Sequence, residues 1–77
     1  MRLDKYLKVS RIIKRRTLAK ESIDRGFVLL NDKVAKAFSE VKVNDVIKLT
    51  KTNQTFKIKA LLESATEEKA LSMYEEL

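Results

Sequence analysis

Residues 11–17 of this chain read Arg11-Ile12-Ile13-Lys14-Arg15-Arg16-Thr17, and they are the centre of a stretch from Arg2 to Lys36 around which the chain is organised. It places four cations and two isoleucines within seven positions. The isoleucines favour a buried core, whereas the cations require water or an anion. A segment this short satisfies both requirements only as a surface turn whose isoleucines pack on the core and whose cations face outward. We therefore predict a basic turn here, between two helices.

The charge of the chain is unevenly distributed along the sequence. The whole chain has 17 Lys/Arg and 11 Asp/Glu, a net charge of +6. Residues 1–36 hold eleven cations against four carboxylates (+7), and residues 37–77 hold six against seven (−1). Such segregation is typical of a protein that binds a polyanion. The alternative, a lysine-rich surface that only aids solubility, does not require it.

The composition argues against catalysis and against a metal site. The chain has no Cys and no His, so it lacks thiolate ligands, the usual general base and the commonest nitrogen ligand of zinc. It has no Gly-rich phosphate loop, and its carboxylates are scattered. We expect a non-catalytic protein without cofactor or metal. The sequence has no apolar run near the roughly 20 residues that span a bilayer and no apolar signal core, so we expect a soluble, cytoplasmic location.

Apolar spacing predicts two helices in the basic half. The first covers residues 2–13, and its apolar stripe is formed by Leu3, Tyr6, Leu7, Ser10 and Ile13. The second follows the basic turn and runs to about Arg25. Its predicted buried face consists of Leu18, Ala19, Ser22 and Ile23. Gly26, the sole glycine, stands where a left-handed residue would end this helix.

Short strands follow the helices. We predict a buried strand over Phe27–Leu30, a two-residue turn at Asn31-Asp32 and a return strand beginning at Lys33-Val34. After an irregular connection over residues 37–45, a second pair of strands is predicted at Val46–Thr50 and Thr55–Leu61. The polar residues 51–54 form the loop between them.

The last part of the chain is acidic and is predicted to be helical. Ser64-Ala65-Thr66-Glu67 fits a capping box, and a helix could run from there to the end. Its expected apolar side consists of Ala70, Leu71, Tyr74 and Leu77. From Glu63 onward there is one cation against five carboxylates, so this segment is not expected to contact nucleic acid.

The basic residues on the second helix indicate an external anion. Arg16 and Lys20 lie one turn apart on the same exposed face, where like charges destabilise a helix by a few tenths of a kcal/mol. A bound anion would complete the arrangement; a solvated charged face is the alternative. Few aromatic residues are available for stacking, since Phe27 and Phe56 are needed by the core. We therefore expect contacts to the phosphates of a folded RNA.

A longer pattern resembles the S4 RNA-binding domain. It consists of Arg2-Leu3-Asp4-x-x-Leu7, Ser10-Arg11, Ala19, Ile23, Gly26-x-Val28-x-x-Asn31 and Asp45-x-Ile47. The match covers residues 2–50. Two positions depart from it: the usual Asn-Gly turn is Asn31-Asp32 here, and the usual Gly-Asp is Asn44-Asp45. Within the superfamily, the opening residues are similar to the RqcP (YabO) family and also to the heat-shock S4 protein of proteobacteria.

The resemblance implies a fold and a function. The expected fold is α+β, the S4 (αL) RNA-binding fold, with two N-terminal helices packed on a small bent antiparallel sheet and a C-terminal helix. Residues 1–77 would form a single domain, with the core motif at 2–50 and a hairpin strand and acidic helix at 51–77. Members of the RqcP family bind 23S rRNA and peptidyl-tRNA on obstructed large ribosomal subunits, and with the elongating factor RqcH they support alanine tailing. Expected partners are therefore 23S rRNA, tRNA and an RqcH-like factor, with no membrane partner, and the protein would be a monomer off the ribosome.

The expected RNA contacts combine the charge pattern with the resemblance. Motif positions favour Arg2, Arg11 and Arg16 most strongly. The full predicted set is Arg2, Lys8, Arg11, Lys14, Arg15, Arg16, Lys20, Lys33 and Lys36. Three other functions remain open: a general heat-shock S4 protein that binds nascent-chain-blocked large subunits for recycling, a detached module of an RNA-modifying enzyme, and an unspecific DNA binder.

Overall fold

A computed structural model gives the positions of all 77 residues, and it confirms the predicted α+β class. The elements in chain order are α1 (Leu3–Val9), α2 (Arg16–Asp24), β1 (Val28–Leu30), β2 (Lys33–Val34), β3 (Val46–Leu49), β4 (Gln54–Ile58), α3 (Glu67–Ala70), a 3₁₀ turn (Leu71–Met73) and β5 (Tyr74–Glu76). The five strands form one antiparallel sheet in the order β2-β1-β3-β4-β5. None of the helices has the length and apolarity that crossing a membrane requires.

Two turns were predicted from residues that tolerate left-handed backbone, and both are confirmed. Asn31 and Asp32 have φ values of 52° and 68°, which is the geometry of a two-residue hairpin whose twist matches its strands. Gly26 has φ 79° and follows Arg25, the C-terminal cap of α2. The departure at Asn31-Asp32 therefore leaves the hairpin intact, and Asn44 at the second departure also has a left-handed φ, of 78°, because Asn and Asp adopt this conformation readily.

The core lies between the helices and one face of the sheet. It is formed by fully buried side chains from both layers: Leu3, Tyr6, Leu7, Ala19, Ile23, Val28, Val41, Ile47, Ile58 and Met73. The Tyr6 hydroxyl donates a 2.6 Å hydrogen bond to the Met73 carbonyl oxygen, which joins α1 to the last part of the chain. Burial, with a smaller contribution from the nearby Tyr74, raises the pKa of the Tyr6 hydroxyl well above its usual range.

The first helix is shorter than predicted. It ends at Val9 with Ser10 as its cap, and residues 11–14 form the basic turn. The Ser10 hydroxyl donates to the Leu7 carbonyl at 3.3 Å and accepts from the Ile12 amide at 3.4 Å, so local hydrogen bonds replace the next helical turn. Arg11 then adopts a left-handed φ of 65°. The prediction of helix over 10–13 was therefore wrong, although Ser10 is buried as expected.

The second helix buries fewer residues than predicted. Ala19 and Ile23 are buried, but Leu18 is 49% exposed and Ser22 is only partly buried. The helix therefore contacts the core along a narrow stripe. Most of its remaining surface is available to solvent or to a partner.

The end of the chain departs most from prediction. A helix begins near the predicted place, but its cap is Thr66, whose hydroxyl accepts from the Lys69 amide at 3.3 Å. It ends after four residues, and the chain then becomes the edge strand β5, which pairs with β4. Predicted helix over the last residues was wrong because strand pairing prevails over local propensity. Of its expected apolar side, Ala70 is buried, whereas Leu71 and Leu77 are exposed.

Strand boundaries otherwise differ by a few residues. β4 ends at Ile58 rather than Leu61, because the Lys59 and Ala60 amides both donate to the Met73 carbonyl instead of continuing the ladder. The connection over 37–45 is irregular, as predicted, yet it touches the N-terminus. The Leu3 amide donates to the Ser39 carbonyl at 2.8 Å, and Arg2 forms an isolated β-bridge with Glu40. This contact fixes the backbone of Arg2.

Candidate nucleic-acid interface

A buried carboxylate holds two arginines at the surface. Asp4, whose side chain is only 4% exposed, accepts hydrogen bonds from the Nε and Nη2 atoms of Arg2, each at 3.1 Å. Arg16 approaches the same carboxylate at 3.5 Å through its Nε and Nη2 atoms. Both arginine side chains remain 48% exposed. Asp4 therefore organises two guanidinium groups whose outer edges face solvent.

The electrostatics of Asp4 favour its ionised form. Burial alone would raise the pKa of this carboxyl, but the hydrogen bond from Arg16, the 2.8 Å bond from the Lys5 amide and the charges of Arg16 and Arg2 together lower it. Asp4 is thus a carboxylate at neutral pH. One negative charge shared by two arginines leaves the group with a net charge of +1.

The fold supplies the positions of both arginines. Arg2 is the N-terminal cap of α1 and is held by its bridge to Glu40. Arg16 is the first residue of α2, which packs against α1. Asp4 lies in the first turn of α1, between them in space. The arginine pair therefore depends on how the two helices pack against each other.

Lys20 and Lys36 join this side of the molecule. Together with Arg2 they line a groove between the end of α2 and the segment after β2. Lys20 faces Asp24 at 4.0 Å, a weak exposed pair, and Lys36 has no carboxylate within ion-pair distance. Arg2, Arg16, Lys20 and Lys36 thus form what we call the Asp4 face.

Three other predicted residues gather elsewhere. Lys8, Arg11 and Lys14 line a second cavity of about 520 Å³, whose opposite wall is the acidic segment with Glu63 and Glu67. The Arg11 guanidinium donates a long, 3.5 Å hydrogen bond to the Ala65 carbonyl. The acidic segment therefore lies close to these three cations without forming an ion pair with them, and its Glu63 pairs with Lys5 instead. We call the three cations the turn cluster, to distinguish them from the Asp4 face.

The remaining two predicted residues line neither cavity. Arg15 is the extended cap residue that precedes α2, and Lys33 lies on the edge strand β2. All nine predicted residues are exposed, so each is accessible to a partner. No group of three or more His, Cys, Asp or Glu side chains could hold a metal ion.

Sequence reasoning missed the role of Asp4. An acidic residue in the first turn of a helix ordinarily interacts with the helix N-terminus, and the 2.8 Å contact of Asp4 with the Lys5 amide fits that role in part. The larger part of its environment is the arginine pair. The spacing Arg2-x-Asp4 was visible in the sequence, but the approach of Arg16 depends on tertiary packing.

Comparison with known proteins agrees with this arrangement. The sequence model of the S4 domain family matches residues 1–47, which include α1, the basic turn, α2 and the first hairpin. The chain belongs to the S4 domain family. The matched part of this S4 domain holds every residue of the Asp4 face and of the turn cluster.

The relatives that align with nearly the whole of this chain share the same name. A protein of Streptococcus pneumoniae called RQC P-site tRNA stabilizing factor is 49% identical over 97% of this chain and 88% of its own length. A protein of Bacillus subtilis with the same name is 46% identical over 96% of this chain and 88% of its own length. The chain therefore belongs to the same family as the proteins of that name.

Two solved structures share the fold. Heat Shock Protein 15 of Vibrio cholerae, solved as a trimer, superposes with a TM-score of 0.91 at 29% identity, covering 100% of this chain and 81% of that one. The solution structure of the hypothetical protein HP1423 superposes with a TM-score of 0.82 at 32% identity, covering 100% and 96%. Both structures cover the whole of this chain, so the match includes the C-terminal segment in addition to the S4 core.

Proposed function

We propose that residues 1–77 form a single S4 RNA-binding domain that acts, without catalysis, in ribosome-associated quality control in the cytoplasm. It would bind 23S rRNA and P-site peptidyl-tRNA on obstructed large ribosomal subunits and would support alanine tailing by an RqcH-like factor. One observation carries this proposal: relatives 46–50% identical over nearly the whole chain are named RQC P-site tRNA stabilizing factor.

The Asp4 face supplies a physical means of binding. A guanidinium group presents a fork of N–H donors that matches two phosphate oxygens, and it stays charged at any physiological pH. Arg2 and Arg16 are already held by Asp4, so they lose little side-chain freedom when they bind. The two arginines would therefore contact RNA phosphates through their exposed edges.

Lysines would add a less directional attraction. Lys20 and Lys36 flank the arginine pair, and the turn cluster lies beyond it. If the nine predicted residues neutralise about six phosphates, affinity falls with roughly the fifth power of salt concentration. Such contacts position a folded RNA without reading its sequence.

Binding to large subunits tests the proposal directly. We would compare the sedimentation of the protein with subunits that carry peptidyl-tRNA and with vacant subunits. The wild-type protein should prefer the tRNA-bearing subunits. Arg16→Gln should weaken that binding about tenfold or more, since one charge-assisted contact contributes on the order of 1.5–3 kcal/mol. Lys59→Gln, which removes the same charge from an exposed residue outside the basic half, is the matched control.

Failure of the proposal has a clear form. Equal binding of both kinds of subunit would refute tRNA-dependent binding. Equal losses from Arg16→Gln and Lys59→Gln would show that total charge, rather than the Asp4 face, determines affinity. Because the protein is proposed to be a monomer off the ribosome, its mass should be measured by sedimentation before the assay.

A second function is favoured by one observation. The structural match to Heat Shock Protein 15 at a TM-score of 0.91 suits a general heat-shock S4 protein that binds blocked large subunits for recycling. Deleting the gene and assaying alanine tails on a non-stop reporter separates the two. Loss of the tails supports the quality-control role, whereas unchanged tails support the recycling role.

A further inference from the structure

The groove beside α2 holds an aromatic ring that the core does not use. It encloses about 540 Å³ between the end of α2 and the segment that follows β2. Phe38 lines this groove and is 65% exposed. It is absent from the buried core and from the apolar residues packed against it, and no aromatic or cationic side chain stacks on its ring. One large apolar surface therefore faces water in the free protein.

The surroundings of Phe38 are strongly basic. Four cations line the groove, Arg2, Lys20, Arg25 and Lys36, against the single carboxylate of Asp24, a balance of +3. The ion pairs of Lys20 with Asp24 and of Arg25 with Glu21 are exposed. Exposed pairs of this kind contribute little to stability, so their cations can turn to a phosphate at small cost.

The backbone holds Phe38 close to one of these cations. The Lys36 amide donates to the Ser39 hydroxyl at 3.0 Å, and the Ser39 amide donates to the Lys36 carbonyl at 2.9 Å. These two bonds close a turn with Phe38 inside it. The Phe38 ring and the Lys36 ammonium group are therefore attached to the same short turn, whose backbone these two hydrogen bonds fix.

We propose that Phe38 stacks on an unpaired nucleobase of the bound RNA while the groove cations hold the adjoining phosphates. The inference rests on the proposed function and adds a ligand class to it. A ring beside clustered cations matches the two parts of a nucleotide, a flat base and an anionic phosphate. A base within an A-form helix has both faces covered by its stacked neighbours, so only an unpaired base has a free face on which Phe38 can stack. A protein partner would fit this groove less well, because interface cores are depleted in charged residues.

A pair of small RNAs tests the proposal. One is a stem with a single unpaired 2-aminopurine, whose fluorescence is quenched by stacking, and the other is the same stem fully paired. The full-length protein should bind the bulged stem about five- to tenfold more tightly and quench its fluorescence, in line with the usual contribution of one stacked base. Phe38→Ala should remove this preference and leave binding of the paired stem unchanged.

Three further variants make the outcome specific. Phe38→Trp should retain the preference and the quenching, whereas Phe38→Leu should behave as Phe38→Ala. Leu77→Ala, at 66% exposure and outside both cavities, is the matched control and should bind as wild type. Circular dichroism should show all variants folded, because the exposed ring contributes little to the core.

Several results would overturn the inference. A bulge preference that survives in Phe38→Ala, or a Leu variant as good as wild type, would exclude stacking while leaving the proposed function standing. Weaker binding of large subunits by Phe38→Ala without any bulge preference would indicate a ribosomal protein contact instead. Wild-type protein that binds neither stem would overturn this inference, whereas the proposed function is decided separately by binding to large subunits.

Discussion

Replacing Asp4 with asparagine is expected to weaken binding to large subunits although it makes the protein more positive. The variant keeps the shape of the side chain and removes its charge, so the net charge rises from +6 to +7. If total charge governed affinity, the variant would bind RNA at least as tightly as wild type. If the Asp4 face governs it, Arg2 and Arg16 lose the group that positions them, and binding falls.

The contacts of Asp4 set the size of the stability effect. Arg2 donates two hydrogen bonds at 3.1 Å and the Lys5 amide one at 2.8 Å, while the two contacts from Arg16 are longer, at 3.5 Å. Removing one partner of a fully buried ion pair costs about 3–5 kcal/mol. Here both arginines are half-exposed and regain water, so we expect a loss of about 2 kcal/mol. For a domain of this size that corresponds to a Tm lower by roughly 8–16 °C.

The pH dependence of stability gives a second, independent test of the role of Asp4. The pKa of Asp4 is lowered in the folded protein, so the unfolded chain takes up its proton more readily. The stabilisation is therefore complete above the ordinary pKa of 3.8 and is lost as the pH falls through the lowered folded value. The Tm difference between wild type and Asp4→Asn should be constant from about pH 5 to 8 and should shrink below about pH 4.

Thermal melts and subunit binding together decide this prediction. The binding assay compares wild type, Asp4→Asn and Arg16→Gln at a temperature at which the melts show every variant to be folded. Binding of Asp4→Asn that equals or exceeds wild type would refute the positioning role. A Tm difference that persists unchanged at pH 2 would show that the carboxylate is not the stabilising group.

Three further outcomes are expected. Gly26→Ala should destabilise the protein by about 1 kcal/mol in thermal melts, because φ is 79° there while an added Cβ would meet no atom within 4 Å; no loss would contradict the assigned helix end. Tyr6→Phe should cost about 1 kcal/mol in urea unfolding, at the low end for a buried hydrogen bond, since the Met73 carbonyl keeps two amide donors. Tyr74→Ala should lower the free energy of unfolding by about 1.5–3 kcal/mol, because it removes the edge-on packing of the Tyr74 and Phe56 rings, whose centroids are 5.3 Å apart, and loosens β5 from β4. In hydrogen exchange, the variant should accelerate the exchange of the β5 amides more than that of the β1 amides.

Features set by local chemistry could be predicted from the sequence. The turn at Asn31-Asp32 and the helix end at Gly26 follow from residues that tolerate positive φ. The alternation of buried Phe56 and Ile58 with more exposed neighbours follows from strand geometry. In each case the relevant information lies within a few consecutive residues, so the sequence pattern is sufficient.

Features set by contacts between distant parts of the chain could not be predicted from the sequence. Arg11 carries no sequence signal for the left-handed conformation that it adopts, so the end of α1 was placed too late. The strand β5 exists because it pairs with β4, whereas the spacing of Ala70, Leu71, Tyr74 and Leu77 alone predicts a helix over these residues. Local patterns cannot report which edge of a sheet is free, and this is why the last residues were assigned to a helix.

The candidate site shows the same division. Exposure of all nine predicted cations followed from their charge. Their separation into the Asp4 face and the turn cluster depends on how α1, α2 and the acidic segment pack together. The joint role of Asp4 with Arg2 and Arg16 likewise required the tertiary structure.

The rate at which P-site tRNA leaves large subunits tests the central claim most directly. The measurement uses subunits loaded with labelled peptidyl-tRNA and compares no protein, wild type, Arg16→Gln and the charge-matched Lys59→Gln. Wild type and Lys59→Gln should slow tRNA release to the same extent, and Arg16→Gln should restore most of the unassisted rate. Release that wild-type protein does not slow, or that Arg16→Gln slows as well as wild type, would contradict the account.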